Sequence, residues 1–184
     1  MASGEDVAER LREQGVAAAW VPKGYDERYF YDEGQARAGV CTYGTAYPSR
    51  QAMARHLRRR GLQPAQLVAY LGLGHELNMY LGRVVCNLDG RYPPGLPGKV
   101  VRRLAPGAFF RPRPGFEPMI KNFEAAAEGC AVFSDSITEF EMLGFVDGDT
   151  IITYRTFPEL ADRLSDYIDR PEALRTIGRR AARL

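Results

Sequence analysis

A lysine and a glutamate three residues apart, Lys121 and Glu124, stand near the start of a segment with helical spacing, and Glu117 stands four residues before the lysine. Charges on one helix face can form a solvated ladder of ion pairs, each contributing only about 0.2–0.5 kcal/mol. They can also offer a cation to an anionic group and a carboxylate to hydroxyl groups. The residues alone leave both open, although the ladder does not explain why the charges gather where a helix leads into the most apolar run of the chain. That run, Cys130 to Phe133, ends in Ser134 and Asp135, two small polar residues at the carboxyl end of an expected strand. Open α/β sheets bind their ligands at such ends.

The elements that must position these residues follow from periodicity. Pro118 suits the first helical position, Ile120, Phe123 and Ala127 recur at helical spacing, and Gly129 stands where a left-handed cap would stop the helix. A second unit of the same kind lies upstream. Gly39 to Thr42 reads as a short strand ending at Tyr43 and Gly44, and a helix is predicted from about Ser49 to Arg60, before Gly61. The free N–H groups at the start of that helix face the ligand edge of a sheet, which favours a phosphate contact. Alternatively, Gly44 makes a tight turn and Arg50 is solvated.

The segment Lys121 to Glu139, KNFEAAAEGCAVFSDSITE, resembles the donor-binding half of GT-B glycosyltransferases, close to the group-one and CgeB-like branch. The family pattern is a basic residue, any residue, Phe, Glu, Ala, Ala, any residue and Gly. Here it reads Lys121, Asn122, Phe123, Glu124, Ala125, Ala126, Ala127, with Glu128 before Gly129. The resemblance implies that Glu124 accepts hydrogen bonds from the ribose of a nucleotide sugar and that Lys121 lies by its diphosphate. The family more often has Arg at that position, so Lys121 would act as a point charge rather than a fork. It further implies close backbone approach at Gly44, a diphosphate contact from Arg50, and a ligand-edge loop running from Ser134 and Asp135 to Glu139. A branch with two glutamates at fixed separation has one more residue between them than lies between Glu117 and Glu124, so Glu117 is not carried over. The PKGYDERYF stretch, with Gly24, Asp26 and Phe30, resembles the linker by which such enzymes enter their second half; as residues it is equally a turn with a hydrophobic anchor.

Composition bounds the rest. At 184 residues, with 45% hydrophobic and 26% charged content, the chain has the make-up of one ordinary domain. A net charge of +2 gives no general argument for nucleic acid. Arginines cluster at 50–60 and 102–113, which reads as a solvated helix face and a basic loop. Cys41, Cys86 and Cys130 fall in predicted strands without metal-type spacing and read as reduced core residues. No apolar run approaches the roughly 20 residues of a membrane span, and the MASGEDVAER start is too charged for a secretory signal, so a cytoplasmic protein is expected. Gly72-Leu73-Gly74 lacks the third glycine of a dinucleotide fingerprint. Neither His56 nor His75 completes a nucleophile–base pair, and no cluster suits a metal.

The expected architecture is α/β: a single Rossmann-like domain whose parallel sheet has about five or six strands and helices on both faces. Residues 1–15 form an N-terminal helix with Ser3 as cap and Gly15 as stop, residues 16–184 the nucleotide-sugar-binding domain, and residues 89–115 a long Pro-, Gly- and Arg-rich loop. Further strands are expected at 66–71, 83–88 and 150–154, a helical turn at 136–142, and amphipathic helices from Phe157 to Tyr167 and from Pro171 onward. By resemblance, the chain is the donor half of a glycosyltransferase that takes a nucleotide-diphosphate sugar as substrate, uses no cofactor, and needs an acceptor-binding domain or partner protein. Its catalysis would be electrostatic stabilisation of the departing diphosphate. The other reading is a non-catalytic interaction module that acts through a partner.

Overall fold

The computed structural model describes residues 1–32, 34, 39–44, 48–67, 84–85 and 118–184. In chain order these form α1 (Glu5–Glu13), β1 (Val40–Tyr43), α2 (Pro48–Arg59), β2 (Pro64–Leu67), β3 (Val84–Val85) and α3 (Ile120–Ala127). There follow β4 (Val132–Asp135), α4 (Glu139–Met142), β5 (Ile152–Tyr154), α5 (Phe157–Ile168) and α6 (Pro171–Ala181). Every strand pairing is parallel, and the order across the sheet is β2-β1-β3-β4-β5. The chain thus steps outward from β1 to β2, then returns past β1 to β3. That reversal opens a crevice at the carboxyl ends of β1 and β3, where doubly wound sheets take ligands.

Alternation along the strands divides the core into two faces. Val40, Ala131 and Phe133 join Met53 and Leu57 of α2 and Leu160 of α5 in one buried cluster. Cys41, Tyr43, Cys130 and Val132 join Ala125 of α3 and Phe140 of α4 in the other. Helices therefore cover both faces. Leu174 and Ile177 of α6 belong to the first cluster and Ala181 to the second. Helix α5 buries Phe157, Leu160, Ala161 and Leu164, with Tyr167 packed alongside, so the predicted stripe is the buried one. Thr156 caps it, its Oγ1 accepting from Glu159 N at 3.2 Å.

Several local expectations are corrected. Pro118 precedes α3 instead of opening it: Met119 is the N-cap and the helix starts at Ile120, whose side chain is exposed. The buried face is instead Asn122, Ala125, Ala126 and Ala127. Ser3 does not cap α1; Gly4 is the N-cap and makes no side-chain bond. The strand expected from Gln66 starts at Pro64, at the edge of the described sheet, where proline is tolerated as the first residue of a strand. Cys41 and Cys130 are buried and form no disulfide, as expected. Glu117, His75, Cys86, Gly72-Leu73-Gly74 and the 89–115 loop lie outside the described residues. Among the described residues, no helix is long and apolar enough to cross a membrane.

The end of α3 explains how α6 packs. Gly129 adopts φ +69°, its N–H bonds to the Ala126 carbonyl at 2.8 Å, and Cys130 N–H bonds to the Ala125 carbonyl at 3.0 Å. This is a Schellman cap, and it turns the chain straight into β4. Gly178 of α6 lies flat on that cap: a Cβ there would stand 1.9 Å from the Gly129 carbonyl oxygen. The obstacle is backbone, which cannot rotate aside. Gly178→Ala should therefore destabilise by about 1–3 kcal/mol through overpacking, despite a gain in helix propensity of up to about 1 kcal/mol. Urea unfolding should show a lower midpoint with an unchanged slope; a midpoint at or above wild type would show that α6 does not rest on this cap.

Candidate functional site

The end of β1 and the start of α3 meet at one place. Tyr43 closes β1, and Gly44 follows it with φ +96°, a conformation that L side chains rarely adopt. Two cationic side chains stand at contact distance from the place its Cβ would take. A Cβ at Gly44 would lie 3.4 Å from Arg50 Nη1, 3.8 Å from Arg50 Nη2 and 3.7 Å from Lys121 Nζ. Arg50, from the first turn of α2, is buried, whereas Lys121, the second residue of α3, is only partly so. The sequence pattern placed Gly44 and Arg50 some seventy residues from Lys121; the fold brings all three to one point.

Glu124 stands one turn along α3 from Lys121, partly buried. Burial pushes its carboxyl above the ordinary range, and the Tyr43 hydroxyl and Lys121 ammonium pull partway back. The Tyr43 hydroxyl donates to the Lys121 carbonyl, and Glu124 Oε2 lies 3.3 Å from the same hydroxyl. An acid held beside Lys121, yet reluctant to ionise, offers a hydrogen-bonding edge suited to hydroxyl groups.

Ser134 and Asp135 are the last residues of β4, and both are buried. Ser134 Oγ accepts from Asn122 Nδ2 at 3.0 Å and donates to Asp135 Oδ1 at 3.2 Å. Asn122 Oδ1 in turn accepts from Met119 N at 3.1 Å, so one fully buried amide both caps α3 and ties it to β4. From these positions Ser134 and Asp135 brace the start of α3. Glu139 opens α4 and is buried; its Oε1 accepts from Glu5 N at 2.6 Å. It supplies the side-chain acceptor at the amino terminus of α1 that Ser3 does not.

Two contributors, Tyr43 and Asn122, escaped the sequence reading. Tyr43 was only a strand end, and Asn122 only the unspecified position between Lys121 and Phe123. An Asn at the third residue of a helix is a weak capping signal beside Glu or Gln, and nothing in the sequence shows how far a tyrosine hydroxyl reaches across a sheet. Among the described residues no group of three or more His, Cys, Asp or Glu could hold a metal ion. The arrangement brings two cations to one backbone position and sets a carboxyl one turn beyond them.

Residues 101–184 match the model of a family described as glycosyl transferase-like. The match takes in Lys121, Glu124, Ser134, Asp135 and Glu139 but not Gly44 or Arg50. Comparison with curated proteins gives no match. Among solved structures, the chain is similar to sucrose-phosphate synthase (tll1590) from Thermosynechococcus elongatus, with a TM-score of 0.60 and 13% identity over 98% of this chain and 51% of that one. It is also similar to TarM, with a TM-score of 0.50 and 9% identity over 96% of this chain and 38% of that one. At such identity the likeness is one of fold, and the chain spans about half the length of the first and less of the second. Its carboxyl-terminal part is thus glycosyl transferase-like in sequence, and its α/β fold is similar to that of GT-B glycosyltransferases.

Proposed function

We propose that this chain is the donor-binding, carboxyl-terminal half of a glycosyltransferase of the CgeB-like branch, and that its site holds a nucleoside-diphosphate sugar for transfer to an acceptor bound elsewhere. The observation that carries the reading is the convergence of Arg50 and Lys121 on the bare backbone of Gly44, with Glu124 one turn beyond Lys121. A diphosphate binds beside Gly44, where Arg50 and Lys121 already stand, and the two cations take its charge. The ribose hydroxyls reach Glu124. The same cations stabilise the diphosphate as it departs, so the chemical contribution of these residues is electrostatic. The acceptor and the groups that orient it come from a second domain or a partner protein, and reduced core cysteines suit a cytoplasmic setting.

Calorimetric titration with UDP, GDP, ADP, dTDP and their common sugars tests the reading. One nucleotide should bind selectively. Removing a hydrogen bond to a charged group costs about 1.5–3 kcal/mol, so Arg50→Ala, Lys121→Ala and Glu124→Ala should each weaken it by about tenfold to a hundredfold. Binding that survives Glu124→Ala unchanged would rule out the ribose role. No binding to any of them would favour the interaction module.

Glu124 also predicts a trade of stability for function. An acid whose folded pKa is raised above its unfolded value stabilises the fold at pH below the unfolded value, and that stability is lost as pH rises through the folded one. Glu124→Gln should therefore raise the neutral-pH melting temperature relative to wild type, narrow the gap below pH 4, and weaken nucleotide binding measurably without abolishing it. A melting temperature lowered equally at every pH would contradict the placement of Glu124 in a desolvated position.

A further inference from the structure

Resting on the nucleotide-site reading, we propose that Tyr43 is the positioning residue of this site, holding the Glu124 carboxylate and the Lys121 backbone in fixed register with Gly44 and Arg50. One side of the site belongs to the end of β1 and the start of α2, the other to α3, and Tyr43 spans the two. It is the residue immediately before Gly44, so any shift of its backbone is passed on across one peptide. Its hydroxyl bonds to the carbonyl of the residue that carries the second cation, and it stands 3.3 Å from Glu124 Oε2.

The ring is 4% exposed and packs in the cluster that contains Ala125 and Ala126 of α3. A phenylalanine would fill the same space. What it would lack is the hydroxyl, which a buried tyrosine must satisfy inside the protein. The single hydroxyl hydrogen faces two acceptors. With Glu124 ionised, it is drawn between the Lys121 carbonyl and the carboxylate. With Glu124 protonated, the carboxyl can donate to the tyrosine oxygen, and the hydroxyl hydrogen stays on the Lys121 carbonyl. Among the described residues the charged group that acts on Glu124 is Lys121, from its own helix, and the Arg50 guanidinium stands with Lys121 at Gly44. Tyr43 therefore links the geometry of the two halves to the charge state of the acid between them.

The test uses the full chain as wild type, Tyr43→Phe, Glu124→Gln and the double variant. Nucleoside diphosphate binding is measured by calorimetry from pH 5 to 8, with whichever of UDP, GDP, ADP and dTDP the wild type binds best. Glu124 is titrated by carboxyl-¹³C NMR in wild type and Tyr43→Phe. Loss of one net hydrogen bond of about 1 kcal/mol corresponds to about fivefold weaker binding at neutral pH for Tyr43→Phe. The acid limb of the binding profile and the NMR midpoint of Glu124 should both move to higher pH, and the loss should largely vanish in the Glu124→Gln background. An equal loss at every pH, additive with Glu124→Gln and with an unmoved Glu124 midpoint, would make Tyr43 a core residue only. If the wild type binds none of the four nucleotides, the nucleotide reading fails. The NMR titration then decides Tyr43 by itself: a raised midpoint upholds its hold on Glu124, and an unmoved one overturns it.

Discussion

The position of one helix end, the first turn of α3, governs everything the site can do, and hydrogen bonds from two different strands fix it. Asn122 Nδ2 reaches Ser134 at the end of β4, and the Tyr43 hydroxyl reaches the Lys121 carbonyl from the end of β1. Both strands are parallel and deliver their carboxyl ends to the same edge. A helix held at one such point could still pivot; held at two, it cannot rotate Lys121 and Glu124 away from Gly44. The bonds are modest singly, at about 1 kcal/mol net each. Their value lies in burial, because Asn122 and Tyr43 would leave unsatisfied polar groups in the core if α3 moved.

The far end of α3 is fixed by packing instead. The Schellman turn at Gly129 directs the chain into β4, and α6 rests on that turn through Gly178 with no side chain between. Close backbone contact of this kind transmits position without slack. The two glycines thus act on the site from a distance: they set where β4 starts, hence where Ser134 stands, hence where Asn122 can bond. The amino-terminal α1 joins the same edge from outside, through the Glu139 carboxylate at the Glu5 N–H.

The sequence disclosed the parts of this arrangement that are repetitive or singular, and missed the parts that are pairwise. Helix α5 was legible because Phe157, Leu160 and Leu164 repeat at helical spacing, and the Gly129 stop because few residues other than glycine serve there. Gly44, Arg50, Lys121 and Glu124 were named as a set by family resemblance, and their meeting depends on strand order, which no local pattern encodes. Ser3 and Pro118 misled because each is a good helix-start residue by type, while the actual starts were decided by tertiary partners: Glu139 for α1 and Asn122 with Ser134 for α3. Ile120 misled in the same way, its helical spacing placing it on the exposed side of a helix whose buried face is mostly alanine.

That alanine face has a consequence for the chemistry. Ala125, Ala126 and Ala127 are all buried, so α3 lies close against β4 and the second core cluster. Larger residues there would lift the helix away from the sheet and carry Lys121 and Glu124 with it. Close seating brings the Glu124 carboxyl into a partly desolvated position, which raises its pKa, and brings Lys121 against Gly44 and Arg50. The small residues of the buried face and the charged residues of the site are therefore one design constraint seen from two sides. Bringing Lys121 of α3 to Arg50 and the Gly44 backbone needs a helix that can approach without side chains in the way.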